Sequence, residues 1–189
     1  ASPLPSGSIA AYYYALLIMV YMPKSLFGAA ITTVIFPTLA EQYNRGDRRG
    51  LSHTLARALQ AAWALILPGA VGLVALGPSA VAFLLQRGAF DGDATTLVYT
   101  LLVIFAVRLV AETTQDILFL PFYAGHNTRT PMWVAIGWML VNVTLSYRLV
   151  GPFGIQGLAL ASTLAVVLAV LALYALNRTA DNQLGKGAL

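Results

Sequence analysis

ATTLVYTLLVIFAVRLVAETTQDILFLPFY, residues 94–123, is the stretch that decides the fold. As a helix it would be about 45 Å long, enough to cross the roughly 30 Å hydrocarbon core of a bilayer. Its charges, Arg108, Glu112 and Asp116, are spaced four residues apart and therefore share one helix face. Because each charge that faces lipid at mid-depth costs about 2.5–3.5 kcal/mol, this face is predicted to meet other helices or water.

The composition argues against most soluble and catalytic functions. Of the 189 residues, 59% are hydrophobic and 10% are charged, whereas an ordinary soluble domain has about 25% charged residues. There is no cysteine, and His53 and His126 lie far apart in polar stretches, so no metal site is expected. Basic residues stand at the ends of apolar stretches, which argues against a nucleic-acid partner. Since no phosphate loop or nucleophile elbow occurs, we predict a membrane transporter without enzyme activity or cofactor.

Apolar stretches separated by polar loops predict an all-α polytopic membrane protein with a single transmembrane domain. The first of five expected spans is long, with kinks predicted at Pro23, Gly28 and Pro37. The stretch after Pro78 is too short to span and is predicted to lie at the interface. The first residues lack an initiator methionine and a signal peptide, so we take Ala1 as an internal position. The expected spans are residues 9–40, 55–76, 94–123, 132–150 and 155–176, and the interfacial helix covers 78–89.

The distribution of positive charge predicts the orientation of these spans. Cytoplasmic loops of membrane proteins are enriched in lysine and arginine. Seven basic residues fall on one side of the predicted bundle and two, Arg87 and Arg148, on the other. The loops at about 41–53 and 125–131 and the C-terminal tail are therefore predicted to be cytoplasmic. The seven basic residues on that side are Arg45, Arg48, Arg49, Arg57, Arg129, Arg178 and Lys186.

Charged residues inside the spans are the candidates for a substrate cavity. In this hypothesis Arg108 attracts an anionic substrate, and the nearby carboxylates carry a proton or a cation. The alternative is an internal ion-pair network that only locks helices together, with Lys24 extending to the interface. Two further polar residues, Asn142 and Gln115, are candidates for packing between helices. The cavity candidates are Arg108, Glu112, Asp116 and Lys24.

Several stretches share their pattern and order with one protein family. They are LPSGSIAAYYYA (residues 4–15), MPKSLFGAAITTVIFPTLAEQ (22–42), LPGAVGLVALGPSAVAFLLQRGAFDGDAT (67–95), FYAGHNTRTPMWVA (122–135) and GIQGLALASTLA (154–165). The fourth is close to the family pattern "FYAxgDTrTPv", and the last resembles "GhaGLALAtSla". Together they resemble the MurJ/MviN lipid II flippases of the multidrug/oligosaccharidyl-lipid/polysaccharide exporter superfamily.

The resemblance implies a fold and an activity. It implies a larger parent with two six-helix lobes in a MATE-like exporter fold, of which this chain is the second lobe without its first helix. The implied activity moves undecaprenyl-pyrophosphate-linked peptidoglycan precursor across the bacterial cytoplasmic (inner) membrane by alternating access, as in other transporters built from repeats. The implied partners are this lipid-linked anionic substrate, membrane lipids, the remaining lobe and cell-wall synthesis proteins. Coupling to the membrane potential or to a monovalent ion is left open.

One departure from the family keeps alternatives open. Where the family often has a polar pair ending in arginine after "YA", this chain has Leu16 and Leu17. Arg108 stands where the family pattern has glycine, so positive charge is predicted to have moved from one helix to another. Lys24 is a second residue that could replace the family's arginine. The alternatives are an exporter of another lipid-linked glycan or of a drug, and a non-transporting pseudo-flippase that serves as a scaffold in a cell-envelope complex.

Overall fold

The computed structural model describes residues 8–25, 29–85 and 92–186, and its regular structure there is entirely helical. The first helical segment consists of α1 and a π-helix that directly follows it. Four longer helices then follow along the chain. The bounds are α1, Ser8–Leu16; the π-helix, Leu17–Tyr21; α2, Ala29–Asn44; α3, Arg48–Leu85; α4, Gly92–Ala124; and α5, Arg129–Lys186.

Helix α4, which contains the charged stretch at 94–123, is the centre of the fold. It contacts α1, the π-helix, α2, α3 and α5. Its apolar face is fully buried at Leu101 and Phe105, which pack against Met19 of the π-helix and Ile66 of α3. Lipid is as apolar as these side chains, so close packing rather than escape from water holds the helices together. The face that carries the charges is therefore fixed in position by neighbours on several sides.

Three helical stretches in the described residues are long and apolar enough to cross a membrane: Arg48–Gly77, Thr96–Ala124 and Arg129–Asn177. The third would extend about 74 Å as one straight helix, more than twice the hydrocarbon thickness. It is interrupted at Gly154, where φ is 56° and ψ is −133°, values that no α-helix has. This break falls between the predicted spans at 132–150 and 155–176, so α5 consists of two helices.

The break in α5 depends on glycine. Gly154 adopts a left-handed φ that side chains with a Cβ rarely tolerate. Three residues later, a Cβ at Gly157 would overlap the carbonyl oxygen of Leu149. The second half of α5 therefore starts in direct contact with the backbone of the first half. The break at Gly154 and the close contact at Gly157 therefore both require glycine.

The first predicted span departs from a regular helix. After α1 the chain forms a π-helix at Leu17–Tyr21. This conformation is rare in proteins, and where it occurs it often marks a functional site. Pro37 lies inside α2 without ending it, since neighbouring groups can satisfy the backbone that a proline frees in membrane helices. The predicted kink at Gly28 lies outside the described residues.

The first part of the predicted interfacial helix at 78–89 overlaps the end of α3. Residues 78–85 continue α3 without interruption, and residues 86–91 are outside the described part of the chain. Immediately before Pro78, Gly77 lies against α4, where a Cβ would come within 2.9 Å of the Tyr99 ring. This close approach keeps α3 in contact with α4 as it passes the proline.

Candidate functional site

The charged face of α4 forms an ion pair along the helix. The Arg108 Nε donates a hydrogen bond to Glu112 Oε1 at 2.7 Å. Both side chains are largely buried, at 10% and 13% exposure. The Arg108 guanidinium carbon also lies 5.7 Å from the centre of the Phe105 ring, within the range of a cation–π interaction. Arg108 is therefore held on two sides by its own helix.

Lys24 joins this pair from a distant part of the chain. It lies one turn beyond the π-helix, and its Nζ is 2.9 Å from Asp116 Oδ2 and 3.4 Å from Glu112 Oε2. Glu112 thus contacts Arg108 through one oxygen and Lys24 through the other. We call this set of two cations and two carboxylates, Arg108, Glu112, Lys24 and Asp116, the four-charge network.

Exposure rises from one end of the four-charge network to the other. The side chains of Lys24 and Asp116 are 31% and 38% exposed, about three times the values for Arg108 and Glu112. All three α4 members lie in the central part of the stretch Thr96–Ala124, which is long enough to span a membrane. Ionisable groups at such depth face protein or water, because contact with lipid is costly. The Lys24–Asp116 end is thus the part of the network open to a ligand or to another part of the protein.

The sequence predicted the members of this network but not its connections. The structure brings all four cavity candidates together, whereas the two packing candidates lie elsewhere. Asn142 accepts a hydrogen bond from Ser146 on its own helix at 3.3 Å. Gln115 is half-buried and makes no side-chain hydrogen bond within the described part of the chain. The contact that sequence reasoning missed is the one between Lys24 and Asp116. Both residues were charges for which the sequence offered no partner close by in the chain.

Comparison with known proteins identifies the family. The model of the family "Lipid II flippase MurJ" matches residues 1–188, almost the whole chain. The chain belongs to the MurJ family. The resemblance inferred from the sequence motifs is thereby confirmed.

Curated relatives and a solved structure agree with this assignment. The chain is 30% identical to the probable lipid II flippase MurJ of Bdellovibrio bacteriovorus, over 89% of this chain and 32% of the relative. It is 30% identical to the lipid II flippase MurJ of Burkholderia cenocepacia, over 92% of this chain and 34% of the relative. A solved structure, "Lipid II flippase MurJ, inward closed conformation", matches with a TM-score of 0.78 and 28% identity over 89% of this chain and 35% of that chain. The chain therefore spans about a third of the length of the MurJ proteins it matches.

The two leucines that depart from the MurJ pattern occupy different environments. Leu16 is 5% exposed and belongs to the core cluster with Phe105 and Leu109. Leu17 begins the π-helix and is 49% exposed. A polar side chain at Leu16 would thus destabilise the core, whereas the side chain at Leu17 is exposed on the surface of the helix. Arg108 is committed to Glu112, so Lys24 is the more accessible cation of this chain's network.

Three cavities lie elsewhere in the described residues. Two are lined mostly by apolar side chains, one of about 470 Å³ between the two halves of α5 and one of about 360 Å³ between α3 and α4. The third, of about 320 Å³, lies where loops and helix ends meet, and its wall includes Gln42, Asn127 and Asn177. None of these three is lined by the four-charge network. Within the described residues, no group of three or more histidine, aspartate or glutamate side chains is arranged to hold a metal ion.

Proposed function

We propose that this chain contributes the second lobe of a lipid II flippase, which moves the lipid-linked peptidoglycan precursor across the bacterial cytoplasmic membrane by alternating access. The observation that carries the proposal is the family match over residues 1–188. The apolar helices and the charges that α4 holds at mid-span support it. Transporters of this kind commonly place their substrate site near the midplane, between two repeats.

The four-charge network suggests how an anionic headgroup would be handled. Lys24 is shared by two carboxylates and remains about one-third exposed, so a diphosphate can compete for its ammonium group. Arg108 stays with Glu112 and stabilises the carboxylate while Lys24 is engaged elsewhere. Asp116 then loses its cation, and a proton or a monovalent cation would compensate its charge. We propose Lys24 as the anion contact and Asp116 as the group that responds to substrate.

We also propose that the loops at about 41–53 and 125–131 and the C-terminal end of α5 face the cytoplasm. The 320 Å³ cavity supports a common side for all three, because its wall includes Gln42, Asn127 and Asn177. The side that carries more basic residues is expected to be cytoplasmic.

Single cysteines in the complete natural protein test this orientation, because this chain contributes no cysteine background. A thiol reagent that does not cross the cytoplasmic membrane should label an Arg148→Cys variant in intact cells. It should label a Ser52→Cys variant only after the membrane is permeabilised. The reverse pattern would show that the proposed orientation is inverted.

A rescue experiment tests the function. The complete natural protein is expected to restore growth and cell shape in a bacterium depleted of its own lipid II flippase. Lipid II should then appear in the outer leaflet at a rate close to that of the native flippase. A well-folded protein that reaches the membrane and does not move lipid II would contradict the proposal. The leucines at Leu16 and Leu17, where the family often has a polar pair, would then favour a different lipid-linked glycan or a scaffold.

A further inference from the structure

One face of the first helical segment is not covered by the rest of the described chain. Four side chains spaced four residues apart lie on it, and each is about half exposed or more. The opposite side of the same segment is buried, with Ala15 and Met19 in the core cluster that includes Phe105 of α4. We call the uncovered side the tyrosine face. Its members are Ile9, Tyr13, Leu17 and Tyr21.

The contacts of the first segment with α4 place the tyrosine face near the middle of the membrane. The Tyr12 ring lies 5.3 Å from the Phe105 ring, and Lys24 contacts Asp116. Both α4 partners belong to the central part of the candidate span Thr96–Ala124, and the residues between Tyr12 and Lys24 run past this part. Aromatic belts, by contrast, lie at the two membrane–water interfaces. The tyrosine face is therefore at the depth of the four-charge network and not at that of the lipid headgroups.

Tyrosine side chains at this depth favour a partner that has both apolar and polar groups. Tyr13 is 66% exposed and Tyr21 is 53% exposed, so a ligand can reach both rings. A hydroxyl that lacks a hydrogen-bond partner is costly in hydrocarbon, and a tyrosine ring offers an apolar surface beside its hydroxyl. A sugar matches both parts, because its C–H groups pack on the ring and its hydroxyls can bond to the phenol. The exposed tyrosines therefore favour a sugar over an acyl chain.

The tyrosine face ends beside the proposed anion contact. Tyr21 precedes Lys24 by three residues, so the two side chains are neighbours on the helix surface. The Lys24 side chain is 31% exposed. In a diphosphate-linked glycan the first sugar is bonded directly to the diphosphate. A diphosphate on Lys24 would thus bring this sugar within reach of the Tyr21 ring, and Tyr13 lies two turns further along the same face.

We infer that the tyrosine face is a sugar-binding surface, on which Tyr21 stacks on the first sugar of a diphosphate-linked glycan and Tyr13 contacts a more distant part of the glycan. The inference rests on the proposed function, because it takes Lys24 as the diphosphate contact. An ammonium group recognises a phosphate as a point charge. The tyrosine face adds the contacts that distinguish a lipid carrying a glycan from the bare lipid diphosphate.

Binding of two lipids to the complete protein in nanodiscs tests this inference. Lipid II carries the glycan, and undecaprenyl diphosphate is the same lipid without it. The wild type is expected to bind lipid II more tightly than undecaprenyl diphosphate. Tyr21→Leu should weaken binding of lipid II about fivefold, the size of one aromatic stacking contact. Its binding of undecaprenyl diphosphate should be unchanged, which also shows that the variant is folded. Tyr21→Phe keeps the ring and should retain most of the preference.

Tyr147→Leu serves as the matched control. It makes the same change at a tyrosine that is 87% exposed on α5, outside the tyrosine face, and should bind both lipids like the wild type. Equal binding of lipid II by the wild type and the Tyr21→Leu variant would overturn the inference and leave the proposed function standing. Equal weakening of both lipids would also overturn it, because Tyr21 would then support the diphosphate site or pack on the remaining lobe. A wild type that binds neither lipid would contradict the proposed function as well.

Discussion

Glu112→Gln is expected to lower the free energy of unfolding by about 3 kcal/mol, at the lower end of the range for breaking a buried ion pair. The glutamine keeps the shape and one acceptor oxygen, but it removes the charge that compensates Arg108. The Arg108 side chain is 10% exposed and its Nε donates to Glu112. The variant therefore leaves a guanidinium buried in a membrane span without its partner. Unfolding of the purified complete protein by heat or denaturant measures the effect.

Two matched variants make this result specific. Asp116→Asn makes the same chemical change one turn along α4, at a side chain that is 38% exposed. Its effect should stay within about 1 kcal/mol, as for solvent-accessible ion pairs. Replacing Arg108 and Glu112 together by leucine removes both charges and should recover most of the lost stability. Equal destabilisation by the Glu112 and Asp116 variants would show that the Arg108–Glu112 pair is no less accessible to water than the Lys24–Asp116 pair.

Lys24→Met is expected to reduce lipid II transport at least tenfold while leaving the protein folded. Methionine keeps much of the apolar stem and removes the ammonium group that contacts Asp116 and Glu112. A tenfold loss corresponds to about 1.4 kcal/mol of substrate interaction, a modest value for a charged contact to a diphosphate. The Arg108–Glu112 pair remains intact in this variant. The rescue and flipping assays described above measure the loss.

Charge-preserving and charge-removing controls accompany the Lys24 variant. Lys24→Arg should retain most of the activity, because the positive charge and the ability to contact both carboxylates are kept. Arg57→Gln removes one positive charge from an exposed position on α3, outside the four-charge network, and should transport like the wild type. Normal transport by a well-folded Lys24→Met protein would remove Lys24 from the proposed substrate contact.

Local geometry explains which parts of the site could be predicted from the sequence. Arg108 and Glu112 are four residues apart, so the helix alone brings them together. The turn in α5 follows from Pro152 and Gly154, which interrupt any regular helix at that position. The family motifs were equally local, and they identified the family that the comparisons confirm.

The features that could not be predicted from the sequence depend on tertiary packing. The contact between Lys24 and Asp116 joins residues that have the whole of α2 and α3 between them in the sequence, and it depends on how the first segment packs on α4. The π-helix at Leu17–Tyr21 adds a shift along the helix that the apolar sequence LIMVY does not signal. The cavity lined by Gln42 and Arg48 requires several helix ends to meet, which no single stretch of sequence encodes.

The most direct test concerns the surroundings of the Lys24–Asp116 end. Asp116→Cys and Val107→Cys place thiols at side chains that are both at least one-third exposed on α4. Val107 lines the apolar cavity between α3 and α4, where lipid would keep a thiol protonated and unreactive. In the complete protein in membranes, a charged water-soluble thiol reagent should modify the Asp116→Cys variant at least tenfold faster than the Val107→Cys variant. Equally slow modification of the two would show that the network borders no aqueous path, and would contradict the account.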